Sequence, residues 1–309
     1  GNIVGGTTPE ERNIIGGANY GVIFSDANSY SNSLIGNYIG TDVTGTKAVP
    51  NGVGVLLWSS GNHRVGGMAE GEVNLISGNE KGVVLNGYGV TDNLILGNRI
   101  GVDANGENTL PNKYCGVDLS MGQKHTVIGG FTPAEGNVIS NSPFSIHIYN
   151  AGTIENFIAG NTMSGASVAG LFLEDNTSRN FIQRNIFGAV EGDTIRIDYG
   201  ASNEIRANTF NGSVGNIISL FQNANGNITA PIVEKADSNS VSGTTCAGGL
   251  VEVYAVDKGV LTPLGFTRAD ANGAFVFQSN QSLAGKQIAA LVTDALSNTS
   301  AFSSLFNVK

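Results

Sequence analysis

The chain has 309 residues, 44 of them glycine, with 13% charged residues and a formal net charge of −9 at pH 7, a composition typical of a turn-rich all-β protein. Nucleic acid is excluded as a partner because no stripe of Lys and Arg is present to neutralise phosphates. No run of about eighteen apolar residues occurs, so we expect no membrane insertion.

A strand-like phrase recurs from the start of the chain to about residue 221. Its third strand begins with Gly or a polar residue and then alternates, at Gly21–Phe24, Gly54–Leu57, Gly82–Leu85, Gly116–Leu119, Ser145–Ile148, Gly170–Leu173, Thr194–Ile197 and Asn216–Leu220. Three short strands per repeat, with period-2 alternation and bounded by Gly, Asn and Ser, indicate strands rather than helices. The phrase therefore predicts a parallel β-helix of about eight coils, in which stacked rungs share one core.

The interior and one corner of each coil can also be assigned from the repeat. Apolar residues such as Val55 and Leu57 are expected to point inward. An Asn recurs at the corner before the second strand, at Asn37, Asn98, Asn161, Asn185 and Asn208. Because Asn tolerates left-handed turns and stacked Asn side chains can bond one another, we interpret these residues as structural and not as ligands.

The early coils carry inserted loops in which an Asp takes equivalent positions. Asp42 and Asp103 lie 61 residues apart within matching phrases, with Thr41 and Asn105 nearby. Oxygen-rich turns of this kind can hold calcium, so the two Asp residues are candidate calcium ligands. The alternative is that each carboxylate bonds the backbone of its own turn. No other cofactor is indicated.

Outward residues of the third strands form two columns along the predicted axis. The first column contains Leu56, Val84, Asp118, His147, Phe172, Arg196 and either Ile218 or Ser219, and the second contains Trp58, Asn86, Ser120, Tyr149, Glu174, Asp198 and Phe221. Parallel rungs stack about 4.8 Å apart, so Glu174 and Asp198 are expected about 5 Å from each other. Arg196 would lie beside them.

This column pair permits catalysis as one interpretation. A carboxylate pair at about 5 Å matches the separation in retaining glycosidases, and two close acids raise the pKa of one of them. A reaction like that of the β-helix polysaccharide lyases would instead need a basic residue, for which Arg196 and Arg184 are the candidates, with calcium to neutralise an acidic sugar. The alternative is a solvated ladder of compensating charges. The absence of motifs like those of polygalacturonases and pectate lyases counts against catalysis.

The same face also carries residues suited to binding carbohydrate. The candidates are Trp58, Asp118, His147, Tyr149 and Phe172. Exposed rings along a flat ladder can stack on sugar rings, although a Trp at the end of a short strand can equally serve to cover a loop. The three histidines, at positions 63, 125 and 147, fall on different coils without the spacing of zinc ligands, so no transition metal is expected.

The repeat ends near Phe221. The pattern then predicts a turn-rich linker at 222–227 and longer alternating strands at 250–256, 273–277 and 287–294. Turn signals every ten residues or so predict a small β-sandwich. We place the domain boundary at 226, with the β-helix over 1–226 and the sandwich over 227–309. Cys115 and Cys246 then lie in different domains, and two unpaired thiols are expected rather than a disulfide.

Two family resemblances agree with this organisation. The phrase Gly36–Asp42, followed by Gly45, resembles the right-handed parallel β-helix repeats of large bacterial surface and secreted proteins, a similarity that covers residues 1 to about 225. The tail resembles the bacterial immunoglobulin-like module, at 241–244, 251–254, 269–275 and 293–303. The resemblances imply an all-β chain, a right-handed parallel β-helix of about eight coils followed by a small immunoglobulin-like β-sandwich. Such modules are scaffolds, so function depends on the sites they carry.

Three hypotheses of function follow. The first is a secreted or cell-surface, adhesin-like scaffold that binds a polysaccharide or cell-surface glycan without catalysis. The second is a polysaccharide hydrolase or lyase acting on the third-strand face. The third is a structural spacer or filament segment: the chain starts within a repeat, as a mature fragment or trimmed chain would, and an open solenoid end exposes pairing edges, so end-to-end self-association would be its signature.

Overall fold

The repeat folds into coils of three short strands each. The computed structural model describes residues 1–89, 91–212 and 215–308. In chain order the coils contain β1 (Ile3–Gly5), β2 (Ile14–Ile15) and β3 (Tyr20–Ser25); β4 (Ser33–Ile35), β5 (Tyr38–Ile39) and β6 (Val53–Trp58); β7 (Arg64–Gly66), β8 (Leu75–Ile76) and β9 (Lys81–Asn86); β10 (Leu94–Leu96), β11 (Arg99–Ile100) and β12 (Cys115–Leu119); β13 (Val127–Gly129), β14 (Val138–Ser140) and β15 (Phe144–Ile148); β16 (Phe157–Ala159), β17 (Thr162–Ser164) and β18 (Ala169–Leu173); β19 (Phe181–Gln183), β20 (Ile186–Phe187) and β21 (Asp193–Asp198); and β22 (Glu204–Arg206), β23 (Thr209–Asn211) and β24 (Ile218–Phe221).

Strands at the same position in successive coils pair in parallel and build three sheets. The first sheet runs from β1 to β22, the second from β2 to β23 and the third from β3 to β24, each with one strand from every coil. Register is kept from coil to coil, as in the pairs of Val55 with Val83 and of Val117 with Ile146. The prediction of a parallel β-helix is confirmed.

The inward side chains form one apolar core along the axis. Val55, Leu57, Ile195 and Ile197 have no exposed surface, as their alternation predicts. Each side chain is covered by its equivalent in the next coil, so the hydrophobic stabilisation depends on stacking rather than on any coil alone. The Gly that opens most third strands has a steric cause, because a Cβ at Gly54 would lie 2.8 Å from the carbonyl oxygen of Gly82.

Asparagine side chains stack in ladders at the corners of the coils. The ladder between the first and second sheets contains one Asn from every coil, at Asn13, Asn37, Asn74, Asn98, Asn137, Asn161, Asn185 and Asn208. Each of the first seven donates its Nδ2 hydrogen to Oδ1 of the next, at 2.8–3.2 Å. The predicted bonding of corner asparagines is confirmed, and the ladder also includes three residues that the phrase alone did not identify.

The C-terminal strands are antiparallel and form two sheets. They are β25 (Ile232–Ala236), β26 (Ser240–Thr244), β27 (Leu250–Asp257), β28 (Val260–Arg268), β29 (Ala274–Gln278), β30 (Gln287–Thr293) and β31 (Phe306–Asn307). One sheet has the order β25-β26-β29 and the other β28-β27-β30-β31. Val241, Val251, Phe275 and Ile288 pack in a core separate from that of the coils. The immunoglobulin-like identity and the boundary at 226 stay predictions.

The C-terminal strands pack against the last coil and cover its open end. β28 pairs with β23, so the second sheet continues into the C-terminal sheet. The amide of Ala207 donates to both carboxylate oxygens of Glu252 at 3.0 Å, and the amide of Ile205 donates to Thr299 Oγ1 at 2.9 Å. These acceptors replace the coil that would otherwise follow, and therefore protect an open sheet edge.

The segment at 222–227 is turn-rich, as predicted, and it packs against the last coil. These residues include a 3-10 helix, Ala224–Asn227, and two others lie at Pro9–Glu11 and Glu70–Glu72. Asn225 is fully buried, and its Nδ2 donates to the carbonyl oxygens of Asn203 at 2.8 Å and Thr299 at 3.0 Å. The side-chain amide of Asn225 thereby satisfies backbone groups at the end of a ladder, a role that the polar, turn-forming composition alone did not reveal.

Candidate functional site

The outward columns of the third sheet follow the predicted order. Asp118, His147, Phe172 and Arg196 occupy successive rungs, and the next rung carries Ser219, which settles the choice between Ile218 and Ser219. On the second column Trp58 lies opposite Asn86, and Asp198 lies opposite Phe221. The β-helix thus presents one nearly continuous strip of side chains along its axis.

Aromatic rings stack around His147 at the middle of this strip. Its ring centroid is 4.6 Å from that of Tyr149, 5.0 Å from Phe144 and 5.2 Å from Phe172, with interplanar angles of 23°, 21° and 7°. Phe172 is parallel to His147 because the two residues are paired on neighbouring rungs, where equivalent side chains point the same way, whereas Phe144 and Tyr149 belong to the same rung as His147. These four rings, together with Glu174, Arg196, Asp198 and Phe221, are named here the His147 cluster.

Each carboxylate of the predicted catalytic pair has its own cationic or histidine partner. His147 Nε2 lies 2.9 Å from Glu174 Oε1. Arg196 holds Asp198 with two bonds, from Nε to Oδ1 at 3.0 Å and from Nη2 to Oδ2 at 2.7 Å. Glu174 and Asp198 occupy adjacent rungs as expected, but their side chains are engaged with these partners. Their catalytic role stays a prediction.

Arg196 connects the charges of the cluster to its rings. Its guanidinium carbon lies 5.0 Å from the centre of the Phe172 ring and 4.8 Å from that of Phe221, the distance range of cation–π contacts. The bonds to Asp198 raise the pKa of Arg196 further above its ordinary value. Arg196 therefore stays charged, and a fixed guanidinium suits hydrogen bonding better than proton abstraction. Arg184 lies elsewhere, over the Phe131 ring at 5.2 Å.

Asp118 lies on the outward face and yet is almost completely covered, with 2% of its side chain exposed. Its Oδ2 is 3.0 Å from Lys81 Nζ and 3.8 Å from Cys115 Sγ. Its Oδ1 has no hydrogen-bond partner among the described residues. Burial lowers the pKa of Lys81, but the attraction of Asp118 outweighs it and the net shift is upward. Lys81 is therefore a persistent cation beside a buried anion.

The aromatic residues predicted to bind carbohydrate do not form one continuous surface. Trp58 is 48% exposed but lies three rungs from Tyr149, about 14 Å along the axis. Phe172 is only 8% exposed because Arg196 and His147 cover it, so the expectation that its ring is free to stack on a sugar is wrong. Phe221 is 42% exposed at the end of the cluster, and burial raises the pKa of the half-covered Tyr149.

Asp42 and Asp103 act on the backbone of their own loops. Oδ1 of Asp42 accepts from Thr44 Oγ1 at 2.8 Å and from two backbone amides, while Oδ2 of Asp103 accepts from Asn108 Nδ2 at 2.7 Å. These bonds, led by those from Thr44 and Asn108, lower the pKa of both carboxyl groups. Within 1–89, 91–212 and 215–308, no group of three or more His, Cys, Asp or Glu side chains converges as a metal site. Calcium binding by these residues stays a prediction.

The other two histidines have separate surroundings. His63 is buried in a corner ladder, where its Nδ1 accepts from the amide of Asn32 at 3.2 Å and its Nε2 has no partner in the described part of the chain. Burial lowers its pKa. His125 is exposed, with Nε2 3.1 Å from Glu155 Oε2. Cys115 and Cys246 are unpaired, as expected.

Lys81 and Phe144 are parts of this face that the two-column reading missed. The third strands carry a further outward column before the Gly of the phrase, and in it Lys81 pairs with Cys115 and Cys115 with Phe144. The ladder skips Gly82, so Lys81 and Val84 both face outward although they are three residues apart. The available signal was the recurrent Gly itself, since an isolated Gly within a strand often marks a bulge.

Comparisons with known proteins give only distant likenesses. No protein-family model matches the chain, and no curated protein matches its sequence. The Dettilon tailspike protein aligns at 13% identity over 92% of this chain and 70% of its own, with a TM-score of 0.36. ORF18 of Geobacillus virus E2 aligns at 10% identity over 96% of this chain and 67% of its own, with a TM-score of 0.34. The enzymatically active domain of bacteriophage CBA120 tailspike protein 2 aligns at 8% identity over 92% of this chain and 68% of its own, with a TM-score of 0.25. At these TM-scores the likeness carries no argument about function.

Proposed function

We propose that the chain is a non-catalytic, glycan-binding scaffold whose site is the His147 cluster. The observation that carries this proposal is the ordered strip itself. Stacked rings are bordered by a His147–Glu174 pair and an Arg196–Asp198 pair on a flat, solvent-facing sheet. Sugar rings offer apolar faces for Phe221 and Tyr149, and their hydroxyl groups match carboxylate acceptors and guanidinium donors.

The pairing of the acids favours binding over turnover. Asp198 accepts two bonds from Arg196, one on each carboxylate oxygen, so both oxygens already have a donor. A catalytic carboxylate must instead have an oxygen free to reach the substrate. Glu174 is the strongest residue for the second candidate function, a polysaccharide hydrolase, in which it would be the proton donor. Its Oε1 lies 2.9 Å from His147 Nε2, on the rung next to that of Asp198.

The charge of the chain favours a neutral ligand. The protein carries a net charge of −9, which repels acidic glycans at long range. A glycan-binding role is most useful in a secreted or cell-surface protein, which is the localisation we propose. The described residues contain no helix that is long and apolar enough to cross a membrane.

The proposal is tested by retention of the purified chain on immobilised cellulose, xylan, mannan and polygalacturonate, with release of reducing and unsaturated ends followed in parallel. We expect retention on a neutral polysaccharide without product. Phe221→Ala should weaken retention about tenfold, as expected for loss of one stacking ring. Phe266→Ala is the matched control, because Phe266 is an exposed phenylalanine on β28.

Three results would decide between the hypotheses. Product formation that is abolished by Glu174→Gln or Asp198→Asn, with the fold intact, would replace binding by catalysis. Equal retention of the Phe221→Ala and Phe266→Ala variants would remove the His147 cluster as the site. Absence of both retention and product, together with concentration-dependent end-to-end association, would favour the structural spacer.

A further inference from the structure

A groove separate from the His147 cluster crosses the first four coils. It lies where each coil enters its third strand, and has a volume of about 340 Å³. The lining includes Asn19 and Tyr20 from the first coil, Val53 from the second, Glu80 and Lys81 from the third and Tyr114 from the fourth. Small-molecule sites occupy about 300–1,000 Å³, so the groove is large enough for a small ligand.

Two tyrosines stand at the ends of this groove. Tyr20 and Tyr114 are each 48% exposed, and three rungs, about 14 Å, separate their coils along the axis. Tyrosine combines an apolar ring face with a polar hydroxyl, and both are accessible here. A ligand that spans the two rings must itself present apolar faces and hydroxyl-bonding groups in repetition, which is the chemistry of a short saccharide.

The groove includes a lysine that the buried carboxylate holds in place. Asp118 Oδ2 lies 3.0 Å from Lys81 Nζ, and only 2% of the Asp118 side chain is exposed. An ammonium group has three donors, so two remain for ligand hydroxyls after the bond to Asp118. Burial of a carboxylate on an outward face is costly. The buried carboxylate orients the Lys81 ammonium group toward the groove, so Asp118 is a positioning residue.

The charges of the groove cancel, which decides the class of saccharide. Lys81 is paired with Asp118 at 3.0 Å and Lys113 with Glu80 at 3.2 Å, so two cations are balanced by two anions. Lys113 Nζ also lies 5.1 Å from the centre of the Tyr114 ring. An acidic saccharide would gain no net Coulombic attraction here, and the charge of −9 on the whole chain would oppose its approach.

We propose that this groove is a second binding site, specific for a short neutral saccharide held between Tyr20 and Tyr114 with Lys81 as a hydrogen-bond donor. It rests on the proposed glycan-binding function, but it uses none of the residues of the His147 cluster. The chain then has two contact points for one class of ligand on the same side of the β-helix, which raises avidity for a polysaccharide long enough to reach both.

The two sites can be separated by calorimetric titration with defined oligosaccharides. The probes are the β-1,4-glucose, β-1,4-mannose and β-1,4-xylose hexamers as neutral ligands, and the α-1,4-galacturonate hexamer as an acidic one. We expect Tyr20→Ala and Tyr114→Ala each to weaken one class of sites about tenfold, and Tyr114→Phe to keep most of the affinity. Tyr88→Ala is the matched control, since Tyr88 is 82% exposed and does not line the groove.

Asp118→Asn tests the positioning role with a readout that simple destabilisation would not produce. Loss of the anion leaves the groove with a net positive charge. Affinity for the neutral hexamer should fall, while affinity for the galacturonate hexamer should rise and become sensitive to salt. Equal changes for both probes would contradict the role assigned to Asp118.

The outcomes distinguish the two sites. If Tyr20→Ala and Tyr114→Ala leave stoichiometry and affinity unchanged while Phe221→Ala abolishes binding, the groove proposal is overturned and the His147 cluster stands. If the tyrosine variants lose binding and Phe221→Ala does not, the groove stands and the cluster fails. If none of the neutral hexamers binds the unmodified chain, both proposals are overturned.

Discussion

Replacing Asn161 by Ala should remove a large part of the stability of the β-helix. The Asn161 side chain accepts from the amide and the Nδ2 of Asn137 at 3.1 and 2.8 Å. It donates to the carbonyl oxygens of Ile128 and Ala159 at 2.8 and 3.0 Å and to Asn185 Oδ1 at 3.0 Å. Every one of these groups is buried, so no water replaces the lost partner.

The magnitude follows from which groups lose their last partner. The Asn137 amide is left unsatisfied, which costs about 1–3 kcal/mol. Asn137 Nδ2 still donates to Ile95, and the Ala159 carbonyl oxygen still accepts from Gly130, so the other lost bonds cost about 0.5–1 kcal/mol each. With four such bonds, the sum is about 3–7 kcal/mol, a large fraction of the 5–15 kcal/mol by which folded proteins are typically stable.

A matched control and an isostere separate the ladder from the loss of volume. Asn13→Ala removes one side-chain bond, at the exposed first rung, and Asn37 Oδ1 keeps its bond from the Asn13 amide, so the cost should stay below about 1 kcal/mol. Asn161→Asp keeps the shape but turns an oxygen toward three acceptors. Burial should raise the pKa of the new carboxyl group, so this variant should lose more stability at pH 7 than at pH 4.

The assay is urea unfolding followed by circular dichroism, with hydrogen exchange of the Asn137 amide as a local probe. We expect exchange at Asn137 to accelerate in Asn161→Ala and to stay unchanged in Asn13→Ala. The reasoning is refuted if Asn161→Ala costs no more than Asn13→Ala, because the ladder would then add nothing beyond the backbone pairing of the coils.

Three further predictions concern titration and thiol chemistry. Burial lowers the pKa of His63 in the folded state, so the unfolded chain binds more protons and stability should fall as pH drops below about 6.5; His63→Asn, which restores an Asn to that ladder, should abolish this loss in melting curves. Burial raises the pKa of Glu252, so its contribution is full below about pH 4.3 and is lost as pH rises; Glu252→Gln should therefore gain melting temperature relative to the unmodified chain at pH 7 but not at pH 4, and an equal difference at both would contradict the assignment. Burial also raises the pKa of the Cys115 thiol, so a thiol reagent at pH 8 should label Cys246 alone in the folded chain, and labelling of both would contradict the packing around Asp118.

The repeated phrase determined the coils because each of its parts has a local physical cause. Alternation decides which side chains of Val55 to Leu57 face the core, Gly54 is required where two backbones approach closely, and Asn161 fits a corner where one amide can satisfy several backbone groups. These requirements repeat in every coil, so the sequence alone predicted the solenoid, the corner ladder and the order of the outward columns.

Only the tertiary structure decided what covers an outward side chain. Alternation places Phe172 and Asp118 outside, but it does not reveal that Arg196 covers Phe172. Nor does it reveal that Lys81, which precedes Gly82 on the neighbouring strand, pairs with Asp118. The closure of the last coil by Glu252, 45 residues after Ala207, likewise depends on a long-range contact. Alternation along a strand determines only on which face of that strand a side chain lies. Burial and charge pairing depend in addition on side chains of other coils, which the winding of the chain brings next to it.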